Sequence, residues 1–213
     1  MSVRVGVLHT VPALVPVFDD LLRSRRPDLE VVHVVDGTLL SRAIAGGITD
    51  DVRADLRQRL SALRAAGATA VLVTCSSIGE AATDAAAEAG VDLTRVDAAM
   101  ARDAVARAAG GQVLVLATLT ATLGPTTRLV RAAADAAGHD ISVVSRLVDG
   151  AAAARADGDQ DRHDRLIAAA VATAGDADVV VLAQASMAAG AGDDPRVMTS
   201  PSSGVDAFVA GLP

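Results

Sequence analysis

The segment AVLVTCSSIGE, residues 70–80, decides how the chain is read. Ala70, Val71, Leu72 and Val73 run without alternation into Thr74, Cys75, Ser76 and Ser77, and an Ala-rich stretch follows. A short, continuous apolar run that ends in polar residues reads as a strand covered on both faces, as in parallel sheets. A second segment, VVVLAQAS at residues 179–186, repeats the pattern and puts Gln184 where Cys75 stands, 109 residues on.

The same pattern extends outward in both directions. VRVGVLH, LEVVHVV, QVLVLAT and DISVVSRLV also read as buried strands. TDDVRADLRQRLSALRAAG and DQDRHDRLIAAAVATAG carry apolar residues at helical spacing, Asp-rich first turns and a Gly stop. Strands alternating with helices predict an α/β fold with right-handed crossovers. The repeat extends too: Val7-Leu8-His9-Thr10 matches Val115-Leu116-Ala117-Thr118, 108 residues on, and Val35-Asp36-Gly37 with Arg42 matches Val148-Asp149-Gly150 with Arg155, 113 residues on. Ala/Val-rich sequences resemble one another, so a single match is weak. Three matches in one order predict two similar Rossmann-like lobes with mainly parallel sheets, residues 1–95 and 96–213, related by pseudo-twofold symmetry. No Pro/Gly-rich linker separates them, and the C-terminal helix is free to pack back on the first lobe. In open α/β sheets ligands sit beyond the carboxyl ends of the strands. Two such lobes are expected to enclose an active cleft lined by His9, Thr10, Cys75 to Ser77, Thr118 to Thr122 and Gln184 to Ser186.

Composition narrows the chemistry. Of 213 residues 51% are hydrophobic, nearly all Ala, Val and Leu, so the core must be packed from small aliphatic side chains. Two Phe, no Trp, no Tyr and a net charge of -7 argue against nucleic acid as a partner, since neither stacking platforms nor a phosphate-binding surface is available. All 19 basic residues are Arg, which leaves no lysine for a PLP Schiff base or a Walker A loop. GVLHTVPAL lacks the Gly-x-Gly-x-x-Gly turn of a dinucleotide site. No signal-like start and no uncharged apolar run of about 18 residues is present, so a soluble, cytoplasmic protein with no membrane partner is expected. One Cys forms neither an internal disulfide nor a zinc–thiolate cluster, and no metal is expected.

Cys75 has two readings. It is either a small buried hydrophobe or the centre of a site, and Thr74, Ser76 and Ser77, which are poor core residues, favour the second. At a strand end before a helix, backbone N–H groups are expected to lower its pKa from about 8.5 toward neutrality. His9 closes the first strand and is a candidate base or ion-pair partner for Cys75, or else a loop histidine bound to a backbone carbonyl. His33, His139 and His163 read as structural or solvated. Thr10, Ser76, Ser77, Thr118, Thr120 and Thr122 form a hydroxyl-rich set without a cationic partner, suited with backbone N–H donors to hold a carboxylate and enolate-like charge. The threonines also fit as strand filler, with Gly124-Pro125 as a helix start. Gln184 and Ser186 are candidates for further polar contacts. Asp36, Asp97 and Asp149 are weaker ones, and for Asp36 and Asp149, which stand before Gly, the first reading is a turn signal.

TCSS closing a strand in the first half, ATLTATLGPT opening the second and VVVLAQAS closing a strand there resemble the aspartate/glutamate racemase superfamily, with hydantoin racemase, maleate isomerase and arylmalonate decarboxylase. The resemblance covers nearly the whole chain. It implies cofactor-independent chemistry at the carbon next to a carboxylate, with one cysteine from each lobe on opposite faces, commonly in a homodimer. The first family cysteine matches Cys75. Where the second lobe of a two-cysteine racemase reads Gly-Cys-Thr-His, this chain reads Ala183-Gln184-Ala185-Ser186, and His9 stands where the pattern usually has Asp before Ser. A Gln amide has no useful pKa for proton transfer. The expectation is therefore a PLP-independent racemase or isomerase acting on a small carboxylate, with Cys75 as acid/base or nucleophile and no cofactor. The alternatives are a one-cysteine decarboxylase of a malonate-like acid, whose family relative keeps its cysteine in the other lobe, and a non-catalytic carboxylate-binding protein.

Overall fold

The continuous apolar runs become the central strands of two parallel sheets in a computed structural model that describes residues 3–213. In the first sheet β1 (Arg4–His9) lies between β2 (Glu30–Val35) and β3 (Ala70–Val73), with β4 (Leu93–Arg95) outermost. In the second, β5 (Gln112–Ala117) lies between β6 (Ser142–Leu147) and β7 (Val179–Leu182), with β8 (Val197–Thr199) outermost. Every neighbouring pair is parallel, and the order is the same in both: second, first, third, fourth. The chain is thus an α/β protein of two similar lobes.

The central strands behave as their composition requires. All four residues of β3 and of β7 are buried, as are five of the six in β1 and in β5. The flanking strands depart from expectation. Residues 142–147 were expected to be buried, yet none is fully so and Val144 is 43% exposed, because an edge strand lacks a neighbour on one side. β4 and β8, three residues each and half-buried throughout, carry no apolar run that would announce them.

The helices are α1 (Val15–Arg25), α2 (Gly37–Gly46), α3 (Asp50–Ala65), α4 (Gly79–Ala89), α5 (Val96–Ala108), α6 (Thr120–Ala137), α7 (Ala151–Ala156), α8 (Gln160–Ala172) and α9 (Ser200–Ala210). Helix α3 shows how they seat. Val52, Leu56, Leu60 and Leu63 recur at helical spacing and are all buried, while Asp50 and Asp51 occupy its first turn. Gly6 lets α3 approach: a Cβ there would stand 3.0 Å from a Leu63 methyl. Gly124-Pro125 does not start a helix. It lies inside α6, which begins at Thr120.

The chain divides into two compact units, one running up to Val96 and resuming at Pro201–Pro213, the other Asp97–Ser200. Helix α9 therefore completes the first unit from the far end of the sequence. There Arg25 pairs with Asp206 at 2.8 Å, and Arg26 Nη2 donates to the Pro213 carbonyl at 2.9 Å. The closest approach is at Gly204, where a Cβ would fall 2.3 Å from the Val96 carbonyl oxygen. Backbone cannot swing aside as a side chain can. Gly204→Ala is expected to destabilise the protein by about 1–3 kcal/mol, read as a lower urea midpoint, and an unchanged midpoint would refute this packing.

Candidate active site

Beyond β3 the chain stays extended through Cys75 (φ -119°, ψ 110°), makes one 3-10 turn at Ser76–Ile78 and enters α4. The Thr74 N–H donates to the Leu8 carbonyl at 3.1 Å and so holds this exit beside the end of β1. The turn aims the backbone N–H groups of Ile78 and Ser77 at the Cys75 sulfur, and the hydroxyls of Thr10 and Ser77 also face it. The structure thus brings together Cys75, Thr10, Ser76 and Ser77. Thr10 Oγ1 and Ser76 Oγ are buried, and neither completes a hydrogen bond of normal geometry. Two buried hydroxyls left open in this way are what a polar ligand would satisfy.

The expected lowering of the thiol pKa is reversed. Burial pushes the Cys75 thiol above its ordinary value, and the Thr10 hydroxyl, the Ile78 and Ser77 N–H groups and the Ser77 hydroxyl offset this only in part. The reason is packing: Cys75 is half-exposed as a residue, but it lies against an apolar cluster that includes Leu8, Val73, Ile78 and Ala82. A neutral thiol is a proton donor at rest, while the N–H groups around it suit the thiolate that forms after the proton leaves.

The second lobe repeats the backbone and changes the chemistry. Gln184 (φ -115°, ψ 135°) precedes a 3-10 segment at Ala185–Gly190, much as Cys75 precedes its turn. Its amide closes on Thr118: Oε1 accepts from the Thr118 N–H at 2.7 Å, and Nε2 donates to Thr118 Oγ1 at 2.7 Å. Thr118 and Gln184 are the repeat partners of Thr10 and Cys75. Of the other expected residues here, Thr120 is exposed at the first position of α6, Thr122 is buried, and Ser186 is half-buried in the 3-10 segment.

The second lobe also holds a half-buried cation. Arg155, on α7 just after β6, is half-buried and makes no hydrogen bond or contact ion pair among the described residues. Burial pushes its guanidinium pKa down, with Asp164 opposing. Its repeat partner Arg42 is neutralised by Asp51 at 2.9 Å and by Asp55. The repeat Val-Asp-Gly followed by Arg was the signal for it, but sequence does not show which of the two arginines is paired.

His9 does not pair with Cys75. Side chains alternate along a strand, so Leu8, which shares the apolar cluster with Cys75, points to one face of the sheet and His9 to the other. There His9 is fully buried against Phe18 of α1, with ring centroids 5.8 Å apart. Its Nδ1 bonds Thr74 Oγ1 at 3.0 Å and its Nε2 bonds His33 Nδ1 at 2.9 Å. Asp36 caps α2 by accepting from the Thr38 N–H at 3.0 Å and pairs with Arg59 at 3.0 Å. Asp97 is buried in the first turn of α5, and Asp149 is exposed in a turn. His139 is exposed, while His163 is buried beside Asp164 at 2.8 Å. Among the described residues no group of three or more His, Cys, Asp or Glu side chains is placed to hold a metal ion.

Two parallel-sheet lobes of one strand order, each ending its central strands in a Thr and a turn-initiating polar residue, define a class of two-lobed α/β proteins with strand-end sites. The sequence profile of the Asp/Glu/Hydantoin racemase family matches residues 8–210, and the chain belongs to that family. Solved structures agree in fold. A glutamate racemase from Bacillus anthracis aligns with a TM-score of 0.71 at 16% identity, over 98% of this chain and 80% of its own. An aspartate racemase from Picrophilus torridus gives 0.68 at 13% identity, over 98% and 93%. A glycine-to-cysteine variant of arylmalonate decarboxylase gives 0.62 at 19% identity, over 99% and 94%. No curated protein sequence matches the chain.

The burial of His9 has a consequence for stability. Removal from water, and then the neighbouring His33, push its pKa from 6.5 down to about 4. The unfolded chain therefore binds a proton between these values that the folded chain refuses. This contribution is complete above pH 6.5 and is lost as pH falls toward 4, amounting to about 3 kcal/mol. Urea unfolding of wild type and His9→Gln across this range is expected to show the acid-side loss reduced in the variant. Parallel curves would show that His9 is not the residue responsible.

Proposed function

We propose that this family member is a cofactor-independent enzyme acting at the carbon next to a small carboxylate, with Cys75 as the group that delivers the proton. The observation that carries the reading is the neutral Cys75 thiol set beside the open hydroxyls of Thr10 and Ser76 and the N–H groups of Ser77 and Ile78. Hydroxyls and N–H groups so placed suit a carboxylate and the enolate-like charge that forms on it. The solved neighbours include racemases of glutamate and aspartate and a decarboxylase of arylmalonate, all of which are carboxylates.

The clamp of Gln184 on Thr118 argues for one-sided chemistry. Two-base racemisation needs a second group that exchanges protons, and an amide with both ends engaged offers none. Loss of carbon dioxide from a malonate-like acid needs only one: the C–C bond breaks, its electron pair enters the enediolate, and the Cys75 proton goes to the carbon. The thiolate then recovers a proton from water. Isomerisation through a single thiol is the neighbouring case.

The same clamp supports a second reading, a carboxylate-binding protein without turnover. Incubation with substituted malonates, maleate, amino acids and hydantoins in deuterated water, followed by NMR, separates the two. The enzyme reading expects turnover with deuterium placed on one face of the product carbon, and a fall of about 10²-fold or more in Cys75→Ala. Ligand-induced thermal stabilisation without turnover would support the binder, and turnover undiminished in Cys75→Ala would remove Cys75 from the chemistry.

A further inference from the structure

On the sheet face opposite Cys75, four side chains of the first lobe form a hydrogen-bonded chain from the interior to the surface. Thr74 Oγ1 meets His9 Nδ1 at 3.0 Å, His9 Nε2 meets His33 Nδ1 at 2.9 Å, and His33 Nε2 meets Asp19 Oδ1 at 3.3 Å. Thr74 and His9 are buried, His33 is mostly buried and Asp19 is partly exposed on α1. The two rings stack with centroids 5.2 Å apart. None of these contacts is used by the chemistry proposed for Cys75.

Counting protons fixes the arrangement. A neutral imidazole has one donor and one acceptor, a hydroxyl has one proton, and an ionised carboxylate only accepts. With both rings neutral, all three bonds are made in one way: Thr74 donates to His9 Nδ1, His9 Nε2–H donates to His33 Nδ1, and His33 Nε2–H donates to Asp19. If His33 gains a proton on Nδ1, it must donate to His9 Nε2 as well as to Asp19. His9 then carries its single proton on Nδ1 and donates to Thr74 Oγ1. The Thr74 hydroxyl turns to its other acceptor, the Leu8 carbonyl, which stands 3.3 Å away. One proton enters, the charge rests on His33 beside a carboxylate, and His9 stays neutral in both states.

We infer that His33 and Asp19 are positioning residues which make the Thr74–Cys75 strand exit proton-sensitive, by switching the tautomer of His9 and with it the acceptor of the Thr74 hydroxyl. The inference does not depend on the reaction proposed above. The groups facing His33 are His9 from β1 and Asp19 from α1; Asp19 is itself paired with Arg23 at 2.7 Å, and Arg23 also feels Asp20. Arg23 first, and then His33, hold the Asp19 carboxyl below its usual range, so it remains an acceptor in either state. Burial of His9 keeps the added charge on His33 rather than on the inner ring.

Histidine ¹⁵N NMR on the intact protein reads the switch directly, because it distinguishes Nδ1–H from Nε2–H. The expected result is Nε2–H on both rings when His33 is neutral, and conversion of His9 to Nδ1–H, still singly protonated, in step with protonation of His33. Asp19→Asn removes the surface carboxylate without touching the core and is expected to move both transitions together to lower pH. In His33→Gln no exchange between the two neutral tautomers of His9 is expected with pH. The rate of Cys75 alkylation, corrected for its thiolate fraction, is expected to step at the same pH in wild type and not in His33→Gln. A His9 tautomer unchanged across the His33 transition, or a transition unmoved in Asp19→Asn, would overturn the switch. An alkylation profile without the step would overturn its link to the strand exit.

Discussion

The parallel pairing of β1 with β3 is the constraint on which the first-lobe site depends. It sets Leu8 beside Val73 and lets the Thr74 N–H continue the ladder onto the Leu8 carbonyl. Once that register is fixed, alternation along the strands distributes the polar residues. Thr10 and Cys75 emerge on the face covered by α3 and α4, while His9 and Thr74 emerge on the face covered by α1. A one-residue slip of β1 would turn the His9 imidazole to the face that carries the thiol and remove Thr10 from it.

The second lobe shows how little separates an open strand end from a closed one. The strand order and the extended residue before a 3-10 segment are the same as in the first lobe. The side chain at that residue differs in length and in hydrogen-bonding capacity. Cys75 is too short and too weak a partner to satisfy Thr10, whose hydroxyl stays open. Gln184 takes the N–H of Thr118 and one acceptor site of its hydroxyl, whose own proton remains to donate. Duplicated backbone thus carries a thiol in one half and an amide brace in the other.

Much of this was legible in sequence, for identifiable reasons. The strands that set the fold are continuous aliphatic runs because they are covered on both faces, and the repeat shows because the same strand ends recur in the same order. β4 and β8 escaped because three half-buried residues leave no periodicity to read. The direction of the Cys75 shift differs from expectation because strand-end N–H groups are visible in sequence, whereas the packing of Cys75 against a cluster that includes Ile78 of the 3-10 turn and Ala81 and Ala82 of α4 exists only in three dimensions. His9 stands out in the sequence, but its neighbours do not. Its true partners lie 24 and 65 residues away, where only the sheet register brings them together.

Helix α9 has a consequence for how the protein is made. The first lobe consists of the opening part of the chain, up to Val96, and its closing segment, Pro201–Pro213. During synthesis the whole second lobe leaves the ribosome before that closing helix does. The nascent first lobe waits without the helix that packs on Val96 through Gly204 for as long as translation of the intervening residues lasts. The lobe that begins first is therefore the one that finishes last.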